Sequence, residues 1–464
     1  MSISEALPFG RLREIFGPRA LLTDPADCWP YGYDNSRRQA LPAAVCFATE
    51  AEQVAGLVRL CRTEGIPLIP RGRGTGTTGA TVPDRGGIVL SLERMDRILE
   101  IDPANRVARV APGVTNRALQ QALAAHGFFW PPDPTSAAVC TIGGNLAYNS
   151  AGPRAVKYGT PRENTLGLRA VTGRGEPIRT GVQTTKGVVG YDLTRLLIGS
   201  EGTLAVITEA LLKLTPLPEA KRTMRASYSD LRSATQAVSA IMAQPVIPCA
   251  LEFMDGAALE MVRVFSPLDL EPACAALLMI EVDGPAACID AAAQAVAQAA
   301  HNGGLLALHQ AATPAEIAQL WRTREALSPA LRNIAPKKIN EDVVVPVSRI
   351  PELIDGLQEI ARRSGIRIVN FGHAGNGNIH VNLLLDPDQP GEQGRAAAAL
   401  DAAFDLVLAL DGTLSGEHGV GLEKRDYVGR ELAPEVLCLL HGIKAQFDPA
   451  GILNPGKGFP PLAP

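Results

Sequence analysis

The chain has no C-x-x-C pair, and its eight cysteines, at positions 28, 46, 61, 140, 249, 274, 288 and 438, are scattered. Such spacing excludes an iron–sulfur cluster, a zinc ribbon and a redox dithiol, and predicts reduced thiols that are mostly buried. Net charge is equally scarce: −4 at pH 7 with a pI near 6.0 leaves no electrostatic footprint for nucleic acid or an anionic membrane. No apolar run approaches the ~20 residues of a membrane span. The N-terminal stretch lacks the basic-then-apolar layout of a signal peptide, so the expected location is a reducing cytoplasm. What is present is a chain of 464 residues, 46% of them hydrophobic. That is enough for two or three globular domains.

Glycine is concentrated where backbone must approach something. The run Ile66-Pro67-Leu68-Ile69-Pro70 reads as a short strand feeding the loop Arg71-Gly72-Arg73-Gly74-Thr75-Gly76-Thr77-Thr78-Gly79. Main chain free of side chains can curl with its N–H groups inward and bind an anion, and arginine and threonine add donors suited to a pyrophosphate. A dinucleotide fingerprint would need an amphipathic helix next. Here the loop runs instead into Thr81–Gly87 and a strand, Ile88–Leu92, which makes a Rossmann site or a P-loop a poor fit. A surface loop would look similar alone. Against that stand Pro131-Pro132-Asp133-Pro134, Thr141-Ile142-Gly143-Gly144-Asn145, Asn149-Ser150-Ala151-Gly152 and Gly199-Ser200-Glu201-Gly202-Thr203, which repeat the same chemistry. Between them lie a strand at Val107–Val110 and a helix over Thr115–His126. The pattern is α+β, with several glycine turns facing one long ligand.

A second constellation is Gly372-His373-Ala374-Gly375-Asn376-Gly377-Asn378-Ile379-His380-Val381-Asn382, followed downstream by Ser415-Gly416-Glu417-His418-Gly419. These segments hold three of the seven histidines. The apolar runs Arg367–Phe371 and Ile379–Leu385 flank a Gly/Asn turn and predict a hairpin that brings His373 and His380 together. Asn382, two residues beyond His380, shares its face. A strand histidine is ordinarily an unremarkable edge residue. Two imidazoles with a carboxylate, Glu417, form a ligand set for a borderline divalent ion such as zinc.

Together these motifs resemble the FAD-binding and catalytic segments of the vanillyl-alcohol oxidase flavoprotein family. The histidine hairpin with Glu417-His418 resembles its D-2-hydroxy-acid dehydrogenase branch, over roughly residues 41–456. The resemblance implies an α+β fold: a two-lobed FAD-binding domain (1–218, with a C-terminal tail 425–464 packing back on it) and a substrate and metal-binding domain (219–424), an antiparallel sheet covered by helices. Proline at 216 and 218 independently suits a boundary there. In that domain strands are expected near 277–282 and 305–309, and helices over 290–300 and 313–330. The implied FAD contacts are Arg71, Gly72, Arg73, Gly74, Thr75, Gly79, Pro132, Asp133, Thr141, Gly143, Gly144, Asn145, Asn149, Ala151, Gly152, Glu201, Gly202, Ile207 and Asn454. The glycine loop carries no histidine for a covalent link, so the FAD is expected to be noncovalent.

The chemistry implied is oxidation of a D-2-hydroxy acid to the 2-oxo acid. A divalent metal, zinc or manganese, on His373, His380 and Glu417 would lower the hydroxyl pKa. His418, an imidazole beside a ligand, is the natural base. The hydride then passes to flavin N5 over about 3 to 3.5 Å. By resemblance Arg324 is the fork for the substrate carboxylate, Ser328 lies one helical turn away, and Asn382 joins the catalytic set. Relatives acting on 2-hydroxyglutarate carry a lysine where Asn340 falls here, with Lys338 two residues earlier, which tilts the expectation to D-lactate or glycolate. A D-2-hydroxyglutarate dehydrogenase and a non-catalytic flavin relay subunit are the alternatives. With no haem motif or cysteine cluster, electrons must leave through a separate acceptor: a cytochrome, an electron-transfer flavoprotein or a quinone. No nucleic acid partner is expected, and there is room for a homodimer.

Overall fold

A computed structural model describes residues 7–265 and 270–462. The chain divides into two compact units: Met1–Ala151, Gly159–Leu217 and Glu417–Pro464 form the first, and Gly152–Tyr158 with Pro218–Gly416 the second. The return to the first unit comes at Glu417, earlier than the 424/425 boundary expected from the sequence, and Gly152–Tyr158 joins the second unit. The reason for the latter is chemical: Lys157 bonds the Asp283 carboxylate, and the Tyr158 hydroxyl donates to Asp283 Oδ2 at 2.8 Å.

The first unit has two lobes. In one, β1 (Leu21–Leu22), β2 (Ala44–Phe47), β3 (Leu68–Arg71) and β4 (Ile88–Ser91) form a sheet in the order β1-β2-β4-β3. The strands β2, β4 and β3 are parallel, so the chain needs a crossover, which the helix Ala51–Glu64 supplies. That helix buries Val54, Leu57, Val58, Leu60 and Cys61 against the sheet and stops at Gly65, whose φ of 66° suits a C-terminal glycine. Both faces of such a sheet are covered, which is why β2 and β4 are buried at every position.

The other lobe contains β5 (Ile98–Asp102), β6 (Val107–Val110), β7 (Phe128–Phe129), β8 (Thr165–Thr172), β9 (Pro177–Gly181), β10 (Ala205–Lys213) and β11 (Thr215–Pro216). Five of them make an antiparallel sheet, β5-β6-β10-β8-β9, and β7 pairs with β11. The helix Asn116–Ala124 is capped by the Thr115 hydroxyl, which accepts from Ala118 N, and it buries Leu119 and Leu123 beside Trp130.

The second unit is built on β12 (Ala220–Tyr228), β13 (Ala250–Asp255), β14 (Ala276–Gly284), β15 (Leu305–Gln310), β16 (Lys337–Val344), β17 (Arg367–His373) and β18 (Asn378–Leu385). They form one antiparallel sheet in the order β15-β12-β14-β13-β17-β18-β16. The helices Gly256–Phe265 and Pro314–Ala330 pack on the face that presents Met254, Met279, Val369 and Phe371. The expected strands and helices of this unit are present, as is the helix-covered antiparallel sheet. All eight cysteines are free thiols, six buried and two, Cys288 and Cys438, exposed. Burial pushes the Cys61 thiol up to about 12, which keeps it protonated and unreactive. Among the described residues no helix is long and apolar enough to cross a membrane.

Candidate active site

Three glycine segments of the first unit, at 70–72, 141–144 and 200–202, converge on one cleft. Arg71, Gly72, Thr141, Gly143, Gly144, Glu201, Gly202 and Ile207 line it, together with residues that the sequence motifs did not single out, among them Pro70, Leu92, Pro112, Ala147, Tyr148 and Val206. Apart from the Tyr148 hydroxyl, these side chains are apolar and carry no local signal beyond being core-like. Glycine is required where the walls meet: a Cβ on Gly72 would fall 2.5 Å from Thr141 Oγ1, and one on Gly143 2.6 Å from Pro112 Cβ. Crowded walls of bare main chain, faced with small apolar groups, fit a planar, elongated cofactor approached by backbone.

Arg71 holds the loop from beneath. Its Nη1 donates to Tyr33 O at 2.8 Å and Thr81 Oγ1 at 3.1 Å, and Gly74, at φ 66°, passes so close above the guanidinium that a Cβ there would lie 2.1 Å from Nη2. Arg73 instead pairs with Glu93 at 3.2 Å. Thr75 O accepts from Asn35, and Gly79 N donates to Asp34 Oδ2 at 3.0 Å. The remaining candidates have structural tasks. Pro132 O and Asn145 Oδ1 both accept from buried Asn116 Nδ2, and Asp133 N donates to Ala151 O. Asn149 sits at φ 56°, ending the helix Ile142–Tyr148, and its amide oxygen accepts from the Thr160 hydroxyl and Arg162 N. Gly152 belongs to the second unit. Asn454 Nδ2 donates to Glu201 O at 2.7 Å.

Glu201 also anchors the segment that follows Glu417. Its carboxylate accepts from Val420 N and, at 2.8 Å, from Gly421 N. Burial raises its pKa above the ordinary carboxylate range in spite of those donors. A Cβ on Gly419 would meet Glu201 Oε1 at 2.5 Å, so the Glu-His-Gly segment needs its glycine there. Glu417 Oε2 accepts from Ala151 N at 3.3 Å, and its carbonyl accepts from the Ser150 hydroxyl at 3.3 Å.

In the second unit β17 and β18 form the expected hairpin, closed by a single 3₁₀ turn, Ala374–Asn376, and by Gly377 at φ 75°. The register sets Phe371 opposite His380 and Asn378 opposite His373. The two histidines are therefore diagonal neighbours rather than direct partners, on one face, with ring centroids 5.3 Å apart. Both are buried. Asn382 lies between Val369 and Asn340 on the same face. Its Nδ2 donates to Val369 O and His380 O, each at 3.1 Å, and its Oδ1 is a buried acceptor without a hydrogen-bond partner among the described residues. Lys338 lies two residues from Asn340 on that strand, opposite Leu384.

Two acidic residues absent from the sequence motifs organise this face. Glu252, on β13, accepts from His373 Nδ1 and Arg324 Nε, both at 2.7 Å. Burial alone would raise its pKa, but His373 and Arg324 together hold it below the ordinary carboxylate range. Asp342, opposite His380 in β16, accepts from the Ser415 hydroxyl at 3.2 Å and from Gly416 N at 3.0 Å, pinning the chain one residue before Glu417. Arg324 is buried, its guanidinium 4.9 Å from the centre of the Phe371 ring. The side chain of Ser328 lies outside the described residues.

Comparison with known proteins defines the class first. Residues 217–458 match the family "FAD linked oxidases, C-terminal domain", and residues 42–181 match the family "FAD binding domain". The chain belongs to the FAD-linked oxidases and is an FAD-dependent oxidoreductase. Among its relatives, the glycolate oxidase subunit GlcD of Bacillus subtilis is 38% identical over 97% of this chain and 96% of its own. A D-lactate dehydrogenase of Anaerostipes hadrus is 34% identical, over 90% of each chain. A D-2-hydroxyglutarate dehydrogenase of Stutzerimonas stutzeri is 32% identical over 97% and 98%. The fold is that of p-cresol methylhydroxylase, with a TM-score of 0.83, 19% identity and 99% and 98% of the two chains covered.

Proposed function

We propose that the protein is a D-2-hydroxy-acid dehydrogenase, taking D-lactate or glycolate, that uses noncovalent FAD and a divalent metal, zinc or manganese, on His373, His380 and Glu417. The observation that carries the reading is the buried His373–His380 pair on one sheet face beside a buried arginine, Arg324, in a chain related along its length to glycolate, D-lactate and D-2-hydroxyglutarate enzymes. The donor set suits the metal: ligand atoms of His373, His380 and Glu417 lie within 4.8 Å of one another, and Nδ1 of His373 is bonded to Glu252, which directs its Nε2 to the role of ligand. Glu417 follows Gly416, whose N–H is fixed by Asp342.

When bound, FAD would supply the hydride acceptor, and an ion held by His373, His380 and Glu417 would supply Lewis acidity toward the substrate hydroxyl. The protein supplies the rest. Arg324 holds the substrate carboxylate by charge-assisted hydrogen bonds, Asn382 offers its amide oxygen, and Ser328 is assigned to the same subsite. His418 takes the hydroxyl proton. Arg71, Gly72, Arg73, Gly74, Thr75 and Gly79 with the later glycine turns cradle the FAD, and Asn454, through Glu201, closes that cradle. Asn340 lies opposite Asn382, at the position where a lysine would serve a second carboxylate, which favours a monocarboxylate. Electrons pass to a separate acceptor, in keeping with relatives named as subunits.

The test is anaerobic titration of the purified flavoprotein with D- and L-2-hydroxy acids, before and after chelation. Bleaching by D-acids (or glycolate) alone, abolished by chelation and restored by zinc or manganese, is expected. A flavin that no 2-hydroxy acid reduces would defeat the assignment.

A further inference from the structure

Glu252 belongs to no motif, yet it is a carboxylate 1% exposed in the middle of a seven-stranded sheet. A charge in that position is tolerated only when paired. It lies one register step beyond the paired residues Phe253 and Gly372, and so faces His373 across β13 and β17. Each oxygen has one partner: Oε1 receives His373 Nδ1 and Oε2 receives Arg324 Nε, both at 2.7 Å. His373 and Arg324 come from a strand and a helix, and one carboxylate joins them.

We propose that Glu252 is a positioning residue that ties the metal ligand His373 to the carboxylate fork Arg324, so that metal binding and substrate binding are coupled through it. The inference rests on the roles assigned above to those two residues. As the acceptor for Nδ1–H, Glu252 fixes the tautomer of His373 and turns the Nε2 lone pair away from itself, raising its basicity as a ligand. As the acceptor for Nε–H, it holds Arg324 by its side edge, while the Phe371 ring, 4.9 Å from the guanidinium, limits the tilt of its plane. The terminal nitrogens are then set for a carboxylate. Rotation of either partner breaks a hydrogen bond with the shared carboxylate, so the angle between fork and imidazole is determined by one side chain.

The experiment compares wild type, Glu252→Gln, Arg324→Gln and His373→Ala as FAD-loaded full-length chains. Zinc and manganese affinities are measured by chelator competition, alongside flavin content, Tm, and kcat and KM with D-lactate or glycolate. Glutamine keeps the shape of Glu252 but can satisfy only one of its two donors. The expected result for Glu252→Gln is metal affinity weakened about 10- to 100-fold and KM raised, with flavin content unchanged. Arg324→Gln should also weaken metal binding measurably although it is no ligand, and this outcome needs no stable Glu252 variant. A lower Tm with metal affinity and KM within twofold of wild type in both variants would show Glu252 to be merely structural, and the proposal would fall. If the wild type binds no stoichiometric metal, or His373→Ala binds it undiminished, the metal-site reading itself fails and takes the coupling with it.

Discussion

Arg324 stands between exposed helix neighbours, Arg322 and Glu325, yet its own guanidinium is buried against Glu252 and Phe371. Hydrogen bonds to charged groups contribute about 1.5–3 kcal/mol. Arg324→Met should therefore raise KM for the 2-hydroxy acid roughly 10- to 100-fold, read by steady-state kinetics, with flavin content unchanged. Asp255 shows a different consequence of burial. Its carboxylate accepts from Ala258 N, Asn370 N and Asn370 Nδ2, yet desolvation still lifts its pKa to about 6. The folded state then holds its proton more tightly than the unfolded chain does. This contribution to stability is complete below the unfolded pKa of about 3.9 and disappears as pH rises through about 6. Asp255→Asn should remove that trend, so the variant should gain relative to wild type between pH 4 and 7 in denaturant melts. An unchanged difference across that window would contradict a raised pKa. Neither burial could be read from a sequence, because a charged residue looks the same whether its partner is water or a carboxylate seventy residues away.

The hairpin β17–β18 was legible as an element: two β-rich runs about a glycine turn. Its consequence for the histidines was legible only in part, since the diagonal pairing of His373 and His380 depends on where the 3₁₀ turn begins. Gly377 sets that turn; at φ 75° its Cβ would lie 1.9 Å from Val345 O. Gly377→Ala should cost about 1–3 kcal/mol in backbone strain alone, lower Tm by several degrees, and weaken metal binding. Retention of full metal affinity would separate the turn from the ligand geometry. The glycine loop after β3 behaves likewise. Gly74→Ala would drive a Cβ into the Arg71 guanidinium, and flavin affinity should drop at least tenfold, measured by fluorescence of released FAD. The loop's chemistry was plain from its residues, but Arg71 appeared there as a direct ligand donor. In the folded chain it also bonds the carbonyls and hydroxyl that shape the loop.

At the scale of the whole molecule, the flavin should leave with unfolding. Acid precipitation is expected to put all of the FAD in the supernatant, because no histidine stands in the glycine loop to hold it, and flavin retained in the pellet would refute this. The sequence by itself determined the class of protein through the family resemblance its motifs carry: glycine turns in order, a histidine pair at hairpin spacing and a downstream Glu-His are local patterns, and local patterns report which backbone must curl and which ligands are offered. It also determined the helix-covered sheet, through the alternation and helical runs of the second half. Only the tertiary structure decided how the site is supported. Glu252, Arg324 and His373 meet through three separate elements, Glu201 reaches Val420 and Gly421 at the far end of the chain, and Asp342 holds Ser415 and Gly416. A hydrogen-bond partner is a relation in space between distant residues, and a single chain of letters has no local signal for which buried carboxylate will meet which donor.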